Sequence, residues 1–217
     1  SAYSSLSDIF MPYDIWYKTS SNQILDPNEG KNYEAGFKFQ SDDAKLNASI
    51  AYFEIHESER AVEDIVYNGN PTNPAVDFAW NGITAKTRGV EIEASGEIWP
   101  NVQVQTGYTF KRIKDQAGVK ISTWEPEQQL NLSTMYKFDQ QLDGLMLGGN
   151  LRWQNKSWQT VYNNVKKQSQ EIDQKAFVLV DLMANYKFNE HISGAVNFNN
   201  IFDKKYFTNI GFYNSGM

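Results

Sequence analysis

Val90-Glu91-Ile92-Glu93-Ala94-Ser95-Gly96-Glu97-Ile98, then Trp99-Pro100-Asn101, then Val102-Gln103-Val104-Gln105-Thr106-Gly107-Tyr108-Thr109-Phe110-Lys111 is the stretch that decides the fold. Apolar and polar residues alternate through both runs. In an extended strand, successive side chains leave on opposite faces. One face therefore takes Val90, Ile92, Ala94, Ile98, Val102, Val104, Tyr108 and Phe110. The other takes Glu91, Glu93, Glu97, Gln103 and Gln105. Only Trp99, Pro100 and Asn101 part the runs, so the pattern predicts two long antiparallel strands joined by a tight turn.

Outward from this hairpin the alternation recurs. It predicts nine strands, over 1–10, 31–40, 45–57, 83–98, 101–113, 128–138, 144–160, 175–188 and 191–207. Four tight connections join them in pairs: Ser41–Ala44, Trp99–Asn101, Asp139–Asp143 and Asn189–Glu190. All are rich in Asp, Asn, Gln or Pro, residues that turn a chain. The other connections, 11–30, 58–82, 114–127 and 161–174, are long and lack a 3.6-residue apolar period. Long strands with short turns at one end and long loops at the other are the pattern of an outer-membrane barrel, with periplasmic turns and extracellular loops.

Aromatic side chains gather at the short-turn ends: Phe37 and Phe39, Trp99, Tyr136 and Phe138, Tyr186 and Phe188. A bilayer interface selects such a ring. The face expected to look inward is polar on every hairpin. It carries Asn47 and Ser49; Glu91, Glu93 and Glu97; Gln103 and Gln105; Gln129, Asn131 and Ser133; Asn150, Arg152 and Gln154; Asp181, Asn185 and Lys187; and Ser193, Asn197 and Asn199.

Composition narrows the function. The 217 residues carry a net charge of −6, which speaks against nucleic acid as a partner. There is no Cys, so disulfides and thiolate metal sites are excluded. The two histidines, His56 and His191, leave few members for a His-based site. His56 stands among Glu54, Glu57 and Glu59, but alternation splits that group between two faces. No nucleophile–base pair is placed, so the chain does not read as an enzyme. The mean hydropathy of −0.58 does not argue against a barrel, whose strands show lipid only every second residue.

Several segments resemble TonB-dependent outer-membrane receptors. Asn32-Tyr33-Glu34-Ala35-Gly36-Phe37-Lys38 and Thr87-Arg88-Gly89-Val90-Glu91-Ile92-Glu93 are similar to the family's strand motifs. Asn199-Asn200-Ile201-Phe202-Asp203-Lys204-Lys205-Tyr206 is similar to the motif before its last loop and strand. Within the family, Ala51–Ile55, Ser122–Pro126, Trp153–Asn164 and Thr208–Tyr213 look like receptors for ferric hydroxamate-containing siderophores, of the ferric-pyoverdine and ferric-coprogen kind.

The resemblance implies an all-β antiparallel transmembrane barrel of 22 strands around a plug. Residues 1–217 would be about nine of those strands, the C-terminal part of the barrel without the plug or the last strand. It implies energy-coupled import of a ferric siderophore. The iron would be held by the siderophore and by no protein ligand or cofactor, and the TonB–ExbB–ExbD complex would act through the plug. Outer-membrane lipid and lipopolysaccharide would surround the barrel.

The candidate ligand surface is aromatic and lies in or beside the long loops: Tyr67, Phe78 and Trp80; Trp124; Trp158 and Tyr162; Phe212 and Tyr213. Flat rings suit a chromophore and the apolar faces of a chelate. Lys156, Lys166 and Lys167 are candidate neighbours for a charged chelate. A passive outer-membrane porin, and more remotely a soluble carbohydrate-binding β-sandwich, are the alternative readings.

Overall fold

The structure is a computed structural model and describes residues 1–68, 70, 78–163, 168–208 and 210. Its elements are β1 (Ala2–Met11), β2 (Asn28–Gln40), β3 (Leu46–Glu63), a single helical turn α1 (Ile65–Asn68), β4 (Trp80–Trp99), β5 (Val102–Asp115), β6 (Gln128–Lys137), β7 (Leu145–Gln154), β8 (Ser157–Asn163), β9 (Gln168–Gln174), β10 (Phe177–Lys187) and β11 (Ser193–Phe198). Among the described residues, nine strands form one antiparallel sheet in the order β1-β2-β3-β4-β5-β6-β7-β10-β11. Strands β8 and β9 pair apart from it as a hairpin.

Register sorts the side chains. Residues directly opposed across strands share a face. One row runs Ala2, Phe37, Ile50, Ile92, Tyr108, Leu130, Trp153, Val178 and is apolar across eight strands. The next row on the other face reads Ser49, Glu93, Gly107, Asn131, Arg152, Leu179. Phe37 is 66% exposed and Ile92 43%. So much exposed apolar surface on one face would not be stable in water and fits an acyl-chain environment. The aromatic ring also appears: Tyr136 meets Phe138, and Tyr186 meets Phe188, edge to face at 4.6 and 4.9 Å.

The four tight turns stand where the alternation stops. Ala44 (φ 57°), Asn101 (φ 66°) and Gln140 (φ 56°) take the left-handed conformation that reverses the chain. In the first turn, Ser41 Oγ donates to Asp43 Oδ1 at 2.6 Å and accepts the Leu46 N–H at 3.0 Å.

Three boundaries differ from the sequence expectation. The run 144–160 is two strands. Asn155 ends β7 by giving its N–H to Gln128 O and taking the Gln128 N–H on its side chain, after which β8 leaves for β9. The loop expected over 161–174 is accordingly in part β9. The run 191–207 is strand only to Phe198, because Asn200 (φ 49°) and Asp203 (φ 47°) fold the chain back. Finally, β3 and β4 pair beyond residues 57 and 83, as far as Glu63 and Trp80, and this shortens the loop between them.

Candidate functional site

The extended β3–β4 pair carries a bulge, and the bulge builds the site. Glu57 opposes Ala85 while Arg60 opposes Ile83, so β3 has one extra residue there. Without it, alternation would send Arg60 to the face opposite Glu57. With it, both stand on the polar face, and Arg60 Nη1 meets Glu57 Oε2 at 2.8 Å. Arg60 Nη2 donates to Ser122 Oγ at 3.1 Å and lies 3.7 Å from Glu125. Glu125 also pairs with Lys111. Glu59 absorbs the extra residue at φ 54°. Gly82 lies against it, and a Cβ there would run into the Glu59 carboxylate.

Tyr13, from the loop after β1, locks the bulge. Its hydroxyl donates to Glu59 O and accepts the Ala61 N–H, both at 2.8 Å. Burial is the chief reason the Tyr13 phenol is pushed above its ordinary value. From Tyr13 a line of rings continues. Tyr13–Tyr17 centroids are 4.8 Å apart, Tyr17–Trp80 4.9 Å and Trp80–Phe78 5.1 Å. The Lys18 carbonyl takes the Trp80 N–H at 2.7 Å and ties the first loop to β4.

These groups line a recess of about 430 Å³ with Trp124, Asn28 and Gln159. Asn28 Oδ1 and Gln159 Oε1 are buried there with no hydrogen-bond donor among the described residues. Unmet acceptors beside stacked rings and a guanidinium can hold a ligand with apolar faces, N–H or O–H donors and local negative charge.

The structure thus brings together Phe78, Trp80 and Trp124 of the expected aromatic surface. Trp158 lines the neighbouring recess, of about 180 Å³, with Lys111, Lys120 and Glu125. Lys156 and Lys120 lie over its ring at 5.3 and 5.9 Å. Tyr67 sits on α1, whose Asn68 side chain bonds both backbone groups of Ala79 beside Phe78. Tyr162 belongs to β8 by its backbone, and its side chain lies outside the described residues. Phe212, Tyr213, Lys166 and Lys167 also fall outside them.

Sequence reasoning missed Tyr13, Tyr17, Asn28, Arg60 and Gln159. The i, i+4 spacing of Tyr13 and Tyr17 was a usable signal in a loop read only as long. Arg60 gave none, because the bulge that aims it is a tertiary feature. The split of the acidic group around His56 between two faces is present: His56 shares a face with Glu54, at 2.5 Å, and not with Glu57.

The long antiparallel strands, the bare apolar face and the tight turns at one end have the build of part of an outer-membrane barrel. The chain belongs to the TonB-dependent receptor family: the model for "TonB dependent receptor-like, beta-barrel" matches residues 1–201. It is 56% identical to the ferripyoverdine receptor of Pseudomonas aeruginosa over 215 residues, 99% of this chain and 26% of that protein. It is 31% identical to the ferric-pyoverdine BN7/BN8 receptor of Pseudomonas putida, over 98% of this chain and 24% of that one. The solved structure of the P. aeruginosa ferripyoverdine receptor bound to ferripyoverdine superposes with a TM-score of 0.85, covering 98% of this chain and 28% of that one. The chain therefore spans about a quarter of the length of these relatives. The relatives are outer-membrane receptors and not enzymes, and the family match removes the soluble sandwich.

Proposed function

We propose that residues 1–217 are the C-terminal part of the barrel of a receptor that imports a ferric siderophore. The cargo is of the pyoverdine class, carrying hydroxamate groups on its iron. The observation that carries the reading is the loop-end recess: the Tyr13–Tyr17–Trp80–Phe78 ring line, Trp124, Arg60 and two buried acceptors without donors. Rings offer flat apolar walls to a chromophore. Arg60 places positive charge near an acidic cargo while Glu57 holds its orientation. Tyr67 and Trp158 extend the contact surface, with Lys156 beside Trp158, and Tyr162, Phe212 and Tyr213 are proposed as ligand contacts from the sequence alone. The iron is cargo, and the siderophore supplies its ligands.

The plug and the closing strand belong to the rest of the receptor, and TonB–ExbB–ExbD acts through that plug. Binding is followed by a conformational change with no covalent step. The test is growth of an iron-starved receptor-deletion strain carrying the full-length gene and fed purified ferric siderophores singly. A ferric pyoverdine restores growth, and W80A or W124A weakens binding about tenfold, the loss of one stacked ring. Rescue only by haem or vitamin B12 would refute the cargo. Uptake that persists without the energy transducer would favour the passive porin.

A further inference from the structure

Among the described residues, the loop-end recess holds a carboxylate that no cation answers. The charged side chains lining it are Glu57, Arg60 and Glu63. Glu57 and Arg60 hold each other at 2.8 Å, and Arg60 also lies 3.7 Å from Glu125. Positive charge at that end is therefore already offset. Glu63 stands three residues further along β3, about 10 Å away, and opposes Trp80. Nearby, Glu125 pairs with Lys111, and Glu127 with Lys120 and Arg112. Glu63 has no such partner within ion-pair distance among the described residues. It is half-buried at the loop end of its strand. Burial raises its carboxyl above the ordinary value of 4.5, against a smaller pull from the Asn68 amide. A carboxylate so placed gains from a cation that brings its own N–H donors.

Two more acceptors line the same recess. Asn28 Oδ1 and Gln159 Oε1 are buried and receive no donor among the described residues. Asn28 is 3% exposed, and its Nδ2 is already spent on Glu57 Oε1 at 3.1 Å. The donors on this wall are spent too. Tyr13 gives its hydroxyl proton to Glu59 O, and Arg60 gives to Glu57 and Ser122. What the recess offers a ligand is acceptors. Beside them the Tyr17–Trp80–Phe78 rings present π faces, which attract positive charge.

We propose that Glu63 binds a side-arm ammonium of the siderophore, its N–H donors going to the Glu63 carboxylate, Asn28 Oδ1 and Gln159 Oε1, with Trp80 and Phe78 beside its stem. An ammonium has three donors, equal in number to these acceptors, whereas a guanidinium has five and would leave two unmet. Glu63 is thus a specificity-determining residue. The inference rests on the siderophore cargo proposed above and adds a cationic group to it.

The test titrates full-length receptor in detergent, by quenching of intrinsic fluorescence. The ligands are a ferric pyoverdine bearing one free primary amine and the same compound after acetylation of that amine. Wild type should bind the free amine about tenfold more tightly than the acetylated form, the loss of one charge-assisted contact. E63Q should bring that ratio close to unity, which separates charge from the bulk of the acetyl group. E63D keeps the charge and should restore most of the ratio. Heat-dependent mobility on gels shows which variants are folded. If E63Q does not fold, Q159L, which removes one acceptor, should lower the ratio about threefold. A wild type that binds neither form would sink the cargo reading and this one with it. Equal binding of both forms by wild type, or an undiminished ratio in folded E63Q or Q159L, would overturn this inference alone.

Discussion

Asp181 takes the backbone N–H of Asn200 on its Oδ1 at 2.7 Å, and that bond fixes where the last described strand stops. Its other oxygen lies 3.3 Å from Arg152 across the β7–β10 ladder. Asp181, a buried residue with its side chain 12% exposed, stands on the lumen face with Leu179, as alternation places it. Asn200 then turns left-handed and binds Lys204 through its side chain, donating to O at 3.0 Å and accepting the N–H at 2.9 Å. The role is structural pairing across three chain segments.

D181A should therefore destabilise the full receptor by about 2–3 kcal/mol, the cost of stranding a charged partner and a backbone donor. D181N keeps an acceptor for Asn200 and should lose about half as much. Melting of the detergent-solubilised receptor checks both, and equal losses would mean that the Asn200 bond carries nothing.

Tyr13 holds the bulge that aims Arg60. Y13F leaves the Ala61 N–H and the Glu59 carbonyl without that partner and should cost about 1–2 kcal/mol. Because Arg60 is then less well placed, affinity for the ferric siderophore should fall more than in Y17F, which keeps its ring. Titration by quenching of intrinsic fluorescence measures this.

The two faces of β4 should respond oppositely to charge. I92R places a cation against acyl chains near mid-membrane and should cost about 2–4 kcal/mol. E91R, one residue away, faces the lumen beside Ala51 and Thr109 and should cost far less. Folded fraction, read from heat-dependent mobility on gels, separates them. Similar losses would refute the face assignment.

Glu127 gives a pH window. Burial raises its carboxyl, but Lys120 and Arg112 outweigh burial and hold it below the ordinary value of 4.5. A group depressed in the folded state stabilises fully above its unfolded value and loses that stabilisation as pH falls through the folded one. The melting-temperature gap between wild type and E127Q should be constant at neutral pH and close on acidification below about 4.5. A gap that widens in acid would reverse the sign.

The nine strands of the main sheet, their antiparallel order, the tight turns and the identity of each face were legible in sequence, whereas the separate β8–β9 hairpin was not. Each follows from a period of two, which the bilayer enforces on one face along the whole strand. The stop at Asn155 was not legible, because it depends on a side chain reaching Gln128. The stop at Asn200 depends likewise on Asp181. Half-visible were the loop aromatics: Trp80, Phe78 and Trp124 could be named as a class, but not as one recess.

From the sequence alone came the membrane-spanning sheet and which residues meet lipid, since local alternation and tight turns carry that information residue by residue. Only tertiary structure decided what Arg60 faces and which rings stack. A single inserted residue at Glu59 reverses the parity of everything beyond it on β3. Contact between Tyr17 and Trp80 joins segments more than sixty residues apart, whose approach no local pattern encodes.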